Sequence, residues 1–370
     1  MDNKIYEKAV ELRHELHMHP ELSCQEVWTK QHLMDFLKEN TSLEIVDKGP
    51  YFYAAYRGGG DKPAIGFRAD FDALPIEDGI DKPWKSRIPG LGHKCGHDGH
   101  SASLAAFAMQ LEKDKPERDV YLIFQHAEET GAGAAQCGDF VPETGIKEIY
   151  AYHNELGPDN TIRVVRGVSN CASMGMTIEM KGTPTHASLP EFGISPLYAL
   201  CDLAKAMPEL AAQYKYKDLV LATIVQLECG DHAFGCAPAD GRLRVTLRAA
   251  IGDEMELLKQ RIIDFSGKLA ESYGLSVSYD YEDVFPDTTN HSECVDKVEA
   301  AVTNCGMKYE ELDFGARGSE DFGWFLKQIP GAMFNIYTGV DTPSLHTASY
   351  DFVDETIKRA VDIFMALVEL

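Results

Sequence analysis

Absent from this chain are a long hydrophobic run, a paired cysteine framework and an excess of positive charge. No apolar stretch in the 370 residues approaches the roughly 20 that a membrane-spanning helix needs. The start, Met1-Asp2-Asn3-Lys4, has neither the basic residues nor the apolar core of a secretory signal, so a cytoplasmic protein is expected. Nine cysteines, an odd number scattered singly, read as reduced thiols rather than disulfides. Thirty-five Lys and Arg against 59 Asp and Glu leave a formal charge of -24, which repels nucleic acid and anionic membranes and excludes both as expected partners. There is no internal repeat and no low-complexity tract. What remains is ordinary: 44% hydrophobic and 25% charged residues, the composition of a soluble globular protein long enough for two or three domains.

Apolar spacing predicts helices over residues 5–16 and from Val27 to Leu37, the second opened by Ser23 as a cap with Glu26 three residues on. Short apolar runs then alternate with helical segments, the mark of α/β structure. Runs at 64–67, 120–124, 148–152 and 332–337 are each followed by unusual polar residues: Asp70 and Asp72, then His126, Glu128 and Glu129, then His153, then His346. Loops at the carboxyl ends of such strands form the ligand crevice of open α/β sheets. From about Cys171 the pattern becomes strand, helix, strand, strand, helix, strand, which is the ferredoxin-like order. It resumes as α/β after Pro286-Asp287, ending in a helix over 354–370. The expected fold is therefore α/β, with a mixed, mostly parallel sheet flanked by helices in residues 1–172 and 287–370, interrupted by a small α+β domain at 173–286.

The densest chemistry lies in Leu91-Gly92-His93-Lys94-Cys95-Gly96-His97-Asp98-Gly99-His100. Its glycines permit tight turns, and Asp98 or Ser101 is placed to cap a helix whose apolar face is Leu104, Phe107, Ala108 and Leu111. Cys95 and His97, two apart, reach one ion from an irregular loop but not from a regular helix. With Glu129, His153 and His346 they make five donors of mixed N, O and S type, a count that suits two divalent ions with open positions for water. His14, His17 and His19, on or just after the first helix, read as packing or surface residues. The Glu128-Glu129 doublet by itself is a solvated acidic turn. Beside a metal centre, Glu128 becomes a candidate base, given a local turn that Gly131 and Gly133 permit. His186 is either a surface histidine or an imidazole offered to an oxyanion, and Arg248 either a surface charge or a partner for a substrate carboxylate.

Taken together these blocks resemble the M20 family of metal-dependent amidohydrolases and peptidases, in the branch of hippurate hydrolases, N-acetyl-diaminopimelate deacetylases and auxin-conjugate hydrolases. The resemblance runs from Leu12-Arg13-His14-Glu15-Leu16-His17 through Arg68-Ala69-Asp70-Phe71-Asp72 and the cysteine stretch to Phe124-Gln125-His126-Ala127-Glu128-Glu129. It continues to His153, His186, Gly318-Ser319-Glu320-Asp321-Phe322 and Leu345-His346-Thr347. It implies a catalytic domain interrupted by a lid or dimerisation domain, and hydrolysis of the amide of an N-acyl amino acid. It further implies two divalent ions (zinc, manganese, nickel or cobalt) on Cys95, His97, Glu129, His153 and His346, with Glu128 as general acid/base. His186 matches a histidine that in the family reaches a neighbouring subunit's site, which implies a homodimer or higher homo-oligomer. Asp70 and Asp72 are expected to support the ligands from behind. His126, where the family has proline, is expected to put an extra imidazole near the metals, while Glu155 and Gly235 also depart from the pattern. Competing readings are a dipeptidase or aminopeptidase of the same chemistry, a non-catalytic binder of small acids, and a cysteine hydrolase using Cys95.

Overall fold

The computed structural model describes residues 1–370, which divide into two compact units: 1–169, 288–315 and 320–370 in the first, 170–287 and 316–319 in the second. The first unit is built on an eight-stranded sheet. Its spatial order is Glu44–Asp47, Phe52–Tyr56, Val120–Gln125, Ile65–Asp70, Glu148–Glu155, Gly331–Tyr337, Thr161–Val165, Lys308–Leu312. The four central strands, Val120–Gln125 to Gly331–Tyr337, run parallel, and antiparallel strands flank them on both sides.

Both faces of this sheet are covered, which is why its central strands read as continuous apolar runs rather than alternating ones. Along Val120–Gln125 the side chains divide by parity. Val120, Leu122 and Phe124 join the core under the helices Asn3–Met18, His97–Asp114, Ser292–Asn304 and Thr356–Glu369, while Tyr121 and Ile123 pack with Phe140, Phe322 and Phe325. Helix His97–Asp114 lies at the centre of the first layer, its Phe107 ring 4.8 Å from Phe67 and 5.4 Å from Phe364.

The second unit has a four-stranded antiparallel sheet in the order Val220–Cys229, Asp240–Ala249, Ala172–Lys181, Ser276–Phe285, with helices Leu197–Leu210 and Gly252–Tyr273. Strand residues Met174, Met176, Ile178 and Met180 alternate into a core shared with Leu200, Leu203, Leu258 and Ile262. This is the ferredoxin-like arrangement. No helix in the chain is long and apolar enough to cross a membrane.

Two expected caps differ from the structure. Helix His97–Asp114 starts after Gly96 with no side-chain cap: Asp98 faces Arg13 and His17, and the Ser101 hydroxyl donates to Asp70 O. Helix Val27–Asn40 is likewise not capped by Ser23, whose hydroxyl donates to Asp72. Instead the Glu21 carboxylate accepts the N–H groups of Trp28 and Thr29. In both places a long-range partner outbids the local backbone for the polar side chain.

Because Phe107 is fully buried between two aromatic neighbours, Phe107→Ala is expected to destabilise the first unit by about 3–5 kcal/mol in urea unfolding, and a loss well below that would place the core elsewhere.

Candidate metal centre

The carboxyl ends of the parallel strands gather the metal-type residues. Ile65–Asp70 ends on Asp70 and leads to Asp72, Val120–Gln125 leads to Glu128 and Glu129, and Glu148–Glu155 carries His153 within the strand rather than after it. Cys95 and His97 are separated by Gly96 at φ 101°, where an added Cβ would lie 2.3 Å from Asn154 Oδ1. Only glycine fits that turn, which sets the thiol and the first helical residue toward one another.

All five sequence-predicted ligands come together, as two overlapping triads: Cys95, His97 and His153, and Cys95, Glu129 and His346. Within each triad the ligand atoms lie within 4.8 Å of one another. Cys95 Sγ is 3.3 Å from His153 Nε2 and 3.4 Å from His346 Nε2. Glu129 Oε1 is 3.9 Å from His97 Nε2 and 3.7 Å from His346 Nε2. Cys95 belongs to both triads.

The tautomers follow from the partners. His153 Nδ1 lies 2.7 Å from Asn154 O, and a carbonyl only accepts, so Nδ1 carries the proton and Nε2 the lone pair. His97 Nδ1 is 3.0 Å from Asp72 Oδ1, which holds that proton and turns Nε2 inward. His97 Nε2 and Glu129 Oε1 are buried with no hydrogen-bond partner. Buried polar atoms left so are costly. Divalent cations remove that cost, and the mixed N, O and S donors suit such ions. In their absence burial pushes the Glu129 carboxyl up to about 7 and the Cys95 thiol higher still, and burial with the neighbouring His100 and His97 lowers His153 to about 3, leaving it neutral.

Asp70 and Asp72 stand behind the donors. Asp72 holds two of them, for its Oδ2 also accepts the Glu129 N–H at 3.0 Å. Burial opposes ionisation of both acids, but Arg68 for Asp70 and His97 for Asp72 hold their carboxyls below the usual range. His100 has both ring nitrogens engaged, by Asp70 Oδ1 and Asn154 Oδ1, each at 2.6 Å. His126 is a correction. Its Nε2 lies 3.2 Å from Gln136 Oε1, and it joins neither triad.

Glu128 follows Ala127, which adopts a left-handed φ of 49° with its N–H held by Glu26 Oε1 at 2.8 Å. Gly131 N–H closes the turn on Glu128 O at 2.8 Å, and an added Cβ at Gly133 would strike His126 O at 1.7 Å. Burial, then Glu320, Glu129 and Asp321, push the Glu128 carboxyl well above its ordinary value. Glu320 and Asp321 were not singled out from the sequence as site residues, nor was Arg68. Arg68 pairs with Asp70 at 2.5 Å, Asp321 at 2.7 Å and Glu320 at 3.0 Å, and the Asp321 N–H meets Glu128 Oε1 at 3.4 Å. The available signal was that Arg68 and Asp70, two apart on a strand, share a face.

His186 and Arg248 belong to the second unit. The Ser188 N–H donates to His186 Nδ1 at 3.2 Å, so the proton sits on the exposed Nε2. Arg248 Nη1 donates to Arg317 O and Ser319 Oγ, each at 2.8 Å.

Residues 66–370 match the profile of the Peptidase family M20/M25/M40. The chain is 27% identical to the N-acetylcysteine deacetylase of Bacillus subtilis, over 99% of this chain and 97% of that one. It is 28% identical to the hippurate hydrolase of Campylobacter jejuni, over 96% and 94%. A Bacillus subtilis crystal structure described as a dinuclear metal binding peptidase from the M20 family superposes with a TM-score of 0.83 at 26% identity, covering 99% of this chain and 98% of that one.

Two outcomes are expected. Asp72→Asn, which sets an NH2 against the donors Asp72 now accepts, lowers zinc affinity by about 10- to 100-fold in competition with a chromophoric chelator. Glu26 is raised from 4.5 to about 7 by burial and by Asp72. The folded state therefore keeps a proton that the unfolded state loses, and stability falls as pH rises through that window. In metal-free protein Glu26→Gln is then more stable than the parent at about pH 8, with the gap closing toward about pH 4.5 in urea unfolding.

Proposed function

The chain belongs to peptidase family M20/M25/M40, and from that premise we propose that it hydrolyses the amide bond of N-acyl amino acids, acetyl or aroyl, releasing a carboxylic acid and an amino acid. The observation that carries this reading is the pair of donor triads sharing Cys95, with the buried carboxyl of Glu128 next in sequence to Glu129. Cys95, His97 and His153 would hold one divalent ion, and Cys95, Glu129 and His346 the other, drawn from zinc, manganese, nickel or cobalt. Ions so bound polarise a substrate carbonyl and lower the pKa of water.

The chain's own groups do the proton work. Glu128 takes a proton from the attacking water and returns it to the leaving nitrogen. A carboxyl whose proton affinity is raised by burial and neighbouring acids is suited to both halves of that cycle. Asp72 fixes the orientation of His97 and Glu129, and Asp70 that of His100. His186 is assigned to donate its Nε2–H to the developing oxyanion, and Arg248 to meet the substrate carboxylate. A homodimer through the second unit fits the Val220–Cys229 strand, which pairs on one side only and exposes Val225. The cytoplasm is the proposed location.

The test is Glu128→Gln on a panel of N-acetyl and N-benzoyl amino acids set beside dipeptides. A fall in kcat of about 10²- to 10⁴-fold is expected with the metal count unchanged. Near-parental turnover with both ions bound, or preference for dipeptides, contradicts the proposal.

A further inference from the structure

Lys94 is fully buried next to Cys95, and the two triads do not use it. A lysine is almost never buried without a specific partner. Its ammonium pairs with the Asp78 carboxylate and donates to Tyr350 O at 2.8 Å. Its backbone carbonyl accepts the N–H of His346 at 2.7 Å. One residue thus grips the chain at His346 and again four positions later.

Side chains hold the far end of that segment as well: the Tyr350 hydroxyl accepts from Asn154 Nδ2 at 2.6 Å, and Asp351 accepts from Arg13 and Trp84. No helix or strand lies between Tyr337 and Thr356, and His346 itself adopts a left-handed φ of 59° with its side chain half exposed. A non-glycine residue in that region is strained and persists only where its surroundings impose it. Next to Asp78, Gly79 N–H also donates to Ala348 O at 2.8 Å. Asp78 is in turn fixed by His17 and by the Ser86 N–H. The anchoring charge is therefore built into the core and is not a surface contact.

We propose that Lys94 is a positioning residue: by holding Tyr350 O against Asp78, its ammonium fixes the segment that presents His346 to Cys95 and Glu129, and so sets the affinity for the ion of that triad more than for the other. His97 and His153 reach Cys95 from a helix and a strand, and Lys94 touches them only through intermediaries, Asp78 with His17 on one side and Tyr350 with Asn154 on the other, so the ion of their triad feels its loss less. The inference rests on the two-triad reading of the site.

The experiment titrates metal-free, full-length protein with zinc chloride by calorimetry, comparing the parent with Lys94→Met and Lys94→Gln, alongside circular dichroism. The parent is expected to bind two equivalents. Lys94→Met retains the first and weakens the second by about 10- to 100-fold, the range for losing a group that orients a ligand, and Lys94→Gln, still a donor, falls between. Equal weakening of both equivalents, two equivalents of unchanged affinity, or failure of both variants to reach the parental dichroism overturns the assignment. A parent that binds fewer than two equivalents overturns the two-triad reading instead.

Discussion

Electron-pair donors converge in the interior of the first unit: a thiol, a carboxylate and three imidazoles, with His97 Nε2 and Glu129 Oε1 met by no protein hydrogen. Such an arrangement is unfavourable by itself, because the donors have lost water and those two atoms gain no hydrogen bond in return. A fold that maintains it must hold every donor from behind and supply positive charge in front. The first requirement is visible throughout the surrounding structure, and the second is what a pair of divalent ions provides.

The holding groups form two connected networks of buried charge. On one side Asp72 ties His97 to the Glu129 backbone, and Arg68 links Asp70 to Glu320 and Asp321 beneath Glu128. On the other, Arg13, His17, Asp78, Lys94 and Asp98 lie under the cysteine loop. Removing one member of such a pair leaves an uncompensated charge, a loss of about 3–5 kcal/mol, so these networks are rigid where the chemistry needs rigidity. Two non-glycine residues in the left-handed region, Ala127 and His346, lie at the general-base turn and at a ligand. Backbone strain of this kind collects where surrounding contacts over-determine the geometry.

Much of this was legible in the sequence, for identifiable reasons. The central strands announced themselves because a sheet covered on both faces needs unbroken apolar runs, and the polar residues after each run marked one sheet edge. Cys95 and His97 stood out by density of ligand types. What could not be read locally was the allocation of polar side chains to distant partners. Asp98 and Ser23 have the chemistry of helix caps, yet Arg13 with His17 takes one and Asp72 the other. His126 has the chemistry of a ligand, yet its ring meets Gln136. Arg68 meets Glu320 and Asp321 across some 250 positions of chain, a pairing no spacing rule contains. Lys94, an ordinary surface residue by composition, is buried only because Asp78 and Tyr350 receive it.

Anomalous diffraction from crystals of the zinc-loaded chain tests the central claim most directly. Two peaks per chain are expected, both within bonding distance of Cys95 Sγ, one also bound by His97 and His153 and the other by Glu129 and His346. A single peak, or two peaks that do not share the Cys95 sulfur, would contradict it.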